Sequence, residues 1–229
     1  AVRINPVSNT GRRIGEVLDA GRVSVRAREG SLIAASGAAI RVDAASAELD
    51  LGPDGLLGRR IVGGDAGTIE LEAAETLLFA GELSGQGVLN QQGGSLSLRL
   101  DPNNRGAFPP DPNRTGLFHR GENLMRVGDF SGSLPAATAA VAGDLMGTAY
   151  VPVSAVRSGG FDSLDLSVRA SAVNENTPDR PDSIPVIEFG QSTDLELARR
   201  IRLDAPVIRS TGGSAITLSA PHVVLGSSD

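Results

Sequence analysis

The stretch from residue 186 to residue 226, VIEFGQSTDLELARRIRLDAPVIRSTGGSAITLSAPHVVLG, reads as a run of short strands. Val186-Ile187-Glu188-Phe189, Leu195-Glu196-Leu197, Ile201-Arg202-Leu203, Val207-Ile208-Arg209, Ile216-Thr217-Leu218 and Val223-Val224-Leu225 place apolar residues two apart, mostly with charged or hydroxyl residues between. That is the period of a strand with one buried face. Asp194 to Arg200 admits a helical reading, but the Leu-Glu-Leu alternation and the strands on either side argue against it. The runs also recur in order, each three strands later. Val186 to Val207 is 21 residues, Leu195 to Ile216 and Leu197 to Leu218 are 21, and Ile201 to Val223 and Leu203 to Leu225 are 22. A competing register sets Leu203-Asp204-Ala205-Pro206 against Leu218-Ser219-Ala220-Pro221 at a spacing of 15, but it matches one strand rather than three.

The same alternation extends upstream through Val23-Ser24-Val25-Arg26, Ile40-Arg41-Val42, Ile69-Glu70-Leu71-Glu72, Leu96-Ser97-Leu98-Arg99-Leu100 and Leu164-Asp165-Leu166-Ser167-Val168. Val23 to Ile69, Val25 to Leu71 and Leu32 to Leu78 are each 46 residues apart, which reads as two periods. A period of 21–23 residues with three short strands predicts an all-β fold, a parallel β-helix whose strands stack on those of the turn before. The inward residues are then Val23, Val25, Ile69, Leu71, Leu96, Leu98, Leu164, Leu166, Ile187, Leu195, Leu197, Ile201, Leu203, Ile208, Ile216, Leu218, Val223 and Leu225. A sandwich or antiparallel barrel would show longer strands joined by Asn-Gly or Asp-Gly turns, and Asp54-Gly55 is the only such dipeptide. The asparagine ladder and helical segment of leucine-rich repeats have no counterpart.

One stretch breaks the rhythm. Asp101 to Val156 holds Pro102, Pro109, Pro110, Pro112 and Pro135 and three of the six Phe, and reads as an excursion packed on the side of the shaft. The organisation is therefore β-helix coils over 1–100, the excursion over 101–156, and coils again over 157–229, in one continuous domain. A smaller excursion is read at Ser171 to Pro185.

Composition narrows the chemistry. The 229 residues carry 21 Lys+Arg against 27 Asp+Glu, a net charge of −6, and every basic residue is Arg. Without Lys there is no Schiff base, no phosphate-loop lysine and no Ser-Lys dyad. An acidic chain with one Tyr, six Phe and no Trp lacks both the basic stripe and the stacking platforms of a nucleic-acid binder. No Cys means no disulfide framework and no thiolate metal site. Leu134 to Gly143, the longest apolar-leaning stretch, has about half the length of a membrane span, so no membrane insertion is expected. Ala1-Val2-Arg3-Ile4-Asn5-Pro6 does not read as a signal peptide, and the chain is expected to be the middle of something longer.

Wording more specific than periodicity appears in the last third. Gly159-Gly160-Phe161-Asp162-Ser163-Leu164-Asp165-Leu166, then Glu188-Phe189-Gly190 with Asp194-Leu195-Glu196-Leu197-Ala198, resembles coils of large secreted exoproteins of the filamentous-haemagglutinin type. Ile201-Arg202-Leu203-Asp204-Ala205-Pro206-Val207-Ile208 and Leu218-Ser219-Ala220-Pro221-His222-Val223-Val224-Leu225-Gly226 are similar to the coils that follow, and Gly67-Thr68-Ile69-Glu70-Leu71 and Gly81-Glu82-Leu83-Ser84-Gly85-Gln86-Gly87 to their generic coils. The resemblance implies a right-handed parallel β-helix, exported by two-partner secretion to the surface of a Gram-negative bacterium through an outer-membrane β-barrel transporter. It implies an adhesive or structural role, with a host-cell receptor or glycan as partner. The excursion is a departure from a pure shaft.

Catalytic and metal-site readings are weak. His119 and His222 have no Cys, HxH or HExxH partner, so no metal or cofactor is expected. Glu70 with Glu72, or Asp162 with Asp165, fits the carboxylate pairs of polysaccharide-cleaving β-helix enzymes, yet Glu between apolar residues is also the ordinary solvent face of a strand. The adjacent Asp-Asp, Gly-His-Gly-like and Arg-Ile-Lys segments of polygalacturonase-like hydrolases do not occur. Gly63-Gly64-Asp65-Ala66-Gly67 lacks the calcium nonapeptide repeat, and Gly85-Gln86-Gly87 has Asn90 where a dinucleotide fingerprint needs its third Gly. Arg12-Arg13, Arg59-Arg60 and Arg199-Arg200 read as charges guarding strand edges. The chain is thus expected not to be an enzyme, with a carbohydrate-active β-helix or a glycan-binding module as the alternative. The candidate partner-binding residues lie in the excursion: Phe108, Arg114, Phe118, His119, Arg120 and Phe130, irregular and partly aromatic groups on a rigid support.

Overall fold

Alternating apolar and polar residues leave each strand one face to bury, and the chain buries it by passing repeatedly through the same two sheets. The computed structural model describes residues 1–4, 12–52, 58–102, 122–128, 130, 132, 134, 141, 145–169 and 184–227. Strands β1 (Val2–Ile4) and β2 (Gly15–Val17) form an antiparallel ribbon. A first pass follows through β3 (Arg22–Ala27), β4 (Leu32–Ala34) and β5 (Ala39–Arg41). A second antiparallel ribbon, β6 (Ser46–Asp50) with β7 (Arg59–Gly63), precedes the next pass, β8 (Thr68–Ala73), β9 (Thr76–Phe79) and β10 (Glu82–Ser84). The third pass holds β11 (Gly94–Leu100), β12 (Glu122–Val127), β13 (Thr148–Val151) and the helix α1 (Val153–Ser158). The fourth is β14 (Phe161–Val168), β15 (Ile184–Phe189) and β16 (Thr193–Glu196); the fifth is β17 (Arg200–Asp204), β18 (Val207–Ser210) and β19 (Ile216–Ser219). Strand β20 (His222–Gly226) then lies on β17.

Two six-stranded sheets result, with parallel pairing throughout. Sheet 1 has the order β3-β8-β11-β14-β17-β20, which is chain order, and sheet 2 the order β4-β9-β13-β12-β15-β18. The pairs β5–β10 and β16–β19 are also parallel. Register in sheet 1 stacks like on like: Val23, Ile69, Leu96, Leu164, Ile201 and Val223 form one column, and Val25, Leu71, Leu98, Leu166, Leu203 and Leu225 the next. The central four residues of each column are at most 1% exposed, and they share one core with Leu77, Met125, Ala149, Ile187 and Phe189 of sheet 2 and Leu83 and Leu195 of the short pairs. Each fully buried aliphatic side chain stabilises the fold by about 1.5–3 kcal/mol relative to exposure. The inward register is therefore as read from the alternation. Val25, Val223 and Leu225 end these columns, and Ile208 ends the column of Ile187 in sheet 2; all four are 36–59% exposed, because among the described residues their strands have a neighbour on one side only.

Three sequence readings are corrected. Val23 pairs directly with Ile69, so the 46-residue spacing is one pass and not two; the extra length is taken up by the β6–β7 ribbon, and Leu32 pairs with Leu77 rather than Leu78. On the short pair, Thr193 lies against Ile216 and Leu195 against Leu218, a step of 23 residues rather than 21. The turn at Gly212-Gly213, with φ of +68° and +71°, absorbs the two extra residues, and glycine is what that left-handed backbone requires. Finally, the stretch 101–156 is not wholly outside the sheets. β12 pairs with β15 and β13 with β9, so this one pass places two strands in sheet 2, and α1 packs Val153 and Val156 into the core beside β10. The smaller excursion, apart from Ile184 and Pro185 at the start of β15, lies outside the described residues.

The outward face of sheet 1 carries charge in rows. Glu70 is paired with Arg22 and, at 3.7 Å, with Arg26, which also lies 3.7 Å from Glu72. Hydrogen bonding from Arg22 holds the Glu70 carboxyl below its ordinary value, against a smaller opposing effect of burial. A depressed carboxyl contributes stability that is complete above its unfolded value, about 4.3, and is lost as pH falls through the lower folded value. Wild type is thus expected to lose more stability than Glu70→Gln as pH falls below about 4. Thermal midpoints of the two proteins from pH 7 to pH 3 check this; parallel curves would mean the pair contributes nothing.

Candidate functional site

Of the described Phe and Tyr residues, Phe79, Phe161 and Phe189 are buried in the core, whereas Phe130 and Tyr150 meet on the outer side of sheet 2. Their ring centroids are 4.8 Å apart at 69°, an edge-on contact. Arg126, on the outward column of β12, donates from Nη1 to Tyr150 Oη at 3.1 Å, and its guanidinium carbon is 5.9 Å from that ring's centroid. Neighbouring Glu188 and Arg209 continue the row, since Arg126 pairs with Glu188 and Glu188 with Arg209 in the ladder.

Glu188 is the hinge of this row. Its side chain is only 10% exposed, and it accepts from Arg209 Nε at 2.9 Å and Nη2 at 2.6 Å, with Arg126 Nε at 3.4 Å on the other side. The flanking Arg126 and Arg209 side chains are 48% and 37% exposed, so both reach water. Removing the carboxylate leaves two cations facing one another. Glu188→Ala is expected to cost about 1–3 kcal/mol, measured by urea unfolding. A loss under about 0.5 kcal/mol would show that water replaces the carboxylate without penalty.

The arrangement suits a ligand rich in hydroxyl or carboxylate oxygens: guanidinium forks donate to such oxygens while an aromatic surface covers their apolar parts. Among the described residues there is no group of three His, Cys, Asp or Glu poised to hold a metal ion.

Of the binding candidates read from the sequence, Phe130 is in this cluster, and Phe108, Arg114, Phe118, His119 and Arg120 lie outside the described residues. Tyr150, Arg126, Glu188 and Arg209 were missed as a group. Leu124-Met125-Arg126-Val127 and Thr148-Ala149-Tyr150-Val151 do alternate, but nothing local tells that these runs lie on adjacent strands of the sheet. His222 opens β20 and is exposed, its backbone N–H donating to Arg199 O. The carboxylates considered for polysaccharide cleavage are engaged elsewhere: Glu70 and Glu72 with arginines, Asp162 accepting from the Gly93 N–H at 2.7 Å, and Asp165 near Arg200 and Arg202.

A second set of functional residues is structural. Asp19 Oδ1 accepts from the Asp65 N–H at 2.8 Å, and Asp65 Oδ1 from the Gln92 N–H at 3.0 Å, so each carboxylate caps the turn of the pass above. The signal was present as Asp19-Ala20-Gly21 and Asp65-Ala66-Gly67, 46 residues apart. Of the arginine pairs, Arg59 and Arg60 lie on the β6–β7 ribbon, with Arg59 on Asp50, and Arg13 lies near Glu48, whereas Arg200 opens β17, an interior strand of sheet 1, and so guards no edge.

Comparison with protein-family models, curated proteins and solved structures found no match.

Proposed function

We propose that the chain is a shaft segment of a large bacterial surface exoprotein, a right-handed parallel β-helix with a structural and adhesive role. One observation supports this reading most: two parallel sheets whose strands follow the chain pass after pass, with the same aliphatic columns running through all of them. Such a body is stiff and extends without limit by adding passes, which is what a shaft requires. On this reading the protein is of the filamentous-haemagglutinin type, reaches the surface of a Gram-negative bacterium by two-partner secretion through an outer-membrane β-barrel transporter, and meets a host-cell receptor or glycan.

Engineered cysteines test the stacked architecture, since the chain has no Cys of its own. Ser97→Cys with Asp165→Cys, outward neighbours in the β11–β14 ladder, are expected to form a disulfide on oxidation, and a pair that stays reduced would sink it. Beads coated with the chain test adhesion: retention on epithelial cells above that of bare beads is expected, and equal retention removes the adhesive part.

A second reading, a glycan-binding surface, is favoured by the Phe130–Tyr150–Arg126 cluster alone. Screening acidic and neutral oligosaccharides against wild type and Arg126→Ala tests it. At least a tenfold weaker affinity in the variant supports the reading. Binding that the substitution leaves unchanged, or no binding by wild type, ends it.

A further inference from the structure

The ribbon β6–β7 carries a free strand edge. Leu51 N–H donates to Gly58 O at 3.1 Å and Gly64 N–H to Ala45 O at 3.0 Å. In the antiparallel register that sets Ser46 against Gly63, these bonds fix Gly58, Arg60, Val62 and Gly64 as the residues joined to β6. Arg59, Ile61 and Gly63 therefore turn their N–H and C=O groups away from it. Among the described residues no backbone group meets them there. Strand β8 follows β7 directly in the chain but lies in sheet 1, so it is not the missing neighbour. On the β6 side the ribbon is engaged, since Asp50 N–H donates to Arg13 O at 2.8 Å.

Two apolar side chains stand on one face of that edge, Ile61 at 59% exposed and Leu89 at 61%. A Cβ on Gly63 would stand 2.8 Å from Val88 Cγ2 and 3.4 Å from Leu89 Cδ1. The turn Val88–Gln91 thus packs on the face of β7 that holds Gly63 and, by alternation, Ile61. Among the described residues Leu89 is the only non-glycine with a positive φ, at +58°. A residue with a Cβ enters that conformation at a cost, and such strain clusters at ligand-holding positions. The opposite face holds Arg60 and Val62. Arg59 is spent on Asp50 at 3.2 Å, whereas Arg60 is exposed and has no carboxylate partner among the described residues.

We propose that β7 is a docking edge for an extended strand of another polypeptide, one that alternates apolar with acidic residues. The backbone of Arg59, Ile61 and Gly63 supplies the ladder bonds, Ile61 and Leu89 cover the apolar side chains, and Arg60 on the other face takes a carboxylate. Charge on an edge ordinarily deters pairing. Here it selects, because Arg60 repels a basic strand and favours an acidic one. A second copy of the chain fits less well, since β7, Arg59-Arg60-Ile61-Val62-Gly63, has no carboxylate to set opposite Arg60. The inference rests on this edge alone and stands apart from the shaft and glycan readings, which the disulfide and oligosaccharide experiments judge.

The probes are a capped eight-residue peptide alternating Glu with Val and its Lys-for-Glu counterpart. The Glu peptide is expected to slow amide exchange at Arg59, Ile61 and Gly63, followed by NMR. By fluorescence anisotropy it should bind at least about tenfold more tightly than the Lys peptide. Arg60→Glu should invert that preference, a reversal that damage to the fold cannot produce. Ile61→Pro removes a free-edge donor that no ladder bond uses and should abolish binding. Leu89→Gly keeps the turn, since glycine takes that backbone freely, and should weaken the Glu peptide about fivefold or more. Circular dichroism and a thermal transition confirm that the variants fold; if Ile61→Pro does not, Arg60→Glu and Leu89→Gly decide. Absence of protection at the three amides overturns the proposal. So does a preference that Arg60→Glu leaves unchanged, or full binding by a folded Ile61→Pro. Protection that grows with the concentration of wild type alone makes a second copy the occupant and overturns the acidic strand.

Discussion

Leu98→Asp is expected to leave the chain without a cooperative unfolding transition. Leu98 is fully buried, third of six in its column, with Leu71 on one side and Leu166 on the other. A carboxylate there meets only aliphatic side chains, since Arg99 and the other charged residues of sheet 1 are on the opposite face by strand alternation. An unpaired buried charge costs several kcal/mol, and the lost leucine packing adds about 2–5 more, against a total stability of about 5–15 for a domain. Leu98→Ala carries only the packing loss and should still unfold cooperatively. Leu225→Asp changes the same column at its exposed end and should fall within about 1 kcal/mol of wild type. Urea unfolding followed by circular dichroism separates the three. A cooperative Leu98→Asp with near-wild-type stability would mean that the column is not continuous.

Gly67→Ala should be nearly as severe, for a backbone reason. An added Cβ would stand 1.9 Å from the Gly21 carbonyl oxygen and 3.0 Å from the Val42 Cβ. That oxygen accepts the Thr68 N–H at 3.1 Å, so it cannot retreat without opening the first ladder bond between β3 and β8. A cost of about 3 kcal/mol or more is expected, the upper range for forced overpacking. Gly21→Ala is the control. It occupies the same turn one pass earlier, on the edge, with nothing within 4 Å of its Cβ position. That substitution should change stability by less than about 0.5 kcal/mol. Equal effects at the two positions would refute the stacked-turn explanation.

The contrast between Gly21 and Gly67 shows where sequence reading stops. Both stand in Asp-Ala-Gly before an alternating run, and nothing local distinguishes them. Only the pass beneath Gly67 makes its missing side chain a necessity. Glu188 is similar: Val186-Ile187-Glu188-Phe189 reads as a strand with its glutamate towards water, yet that carboxylate is nine-tenths buried between Arg126 and Arg209 from neighbouring strands. The candidate site was legible only in Phe130, because its other members come from four separate runs that the sheet order brings together.

What the sequence determined by itself is the strand content, the face that each strand buries and the repeating character of the last two full passes. These follow from an alternation of period two, which depends on each residue's own neighbours and survives without knowledge of partners. Tertiary structure alone decided which strand lies beside which. It made one pass of 46 residues out of an apparent two, set β13 and β12 in reversed order between β9 and β15, and put α1 in the third pass after them. The physical reason is that pairing register is fixed by turn length and backbone geometry, such as the two left-handed glycines at 212 and 213, and by long-range hydrogen bonds between ladders. Alternation tells a side chain which way to point but carries no information about what it will meet there.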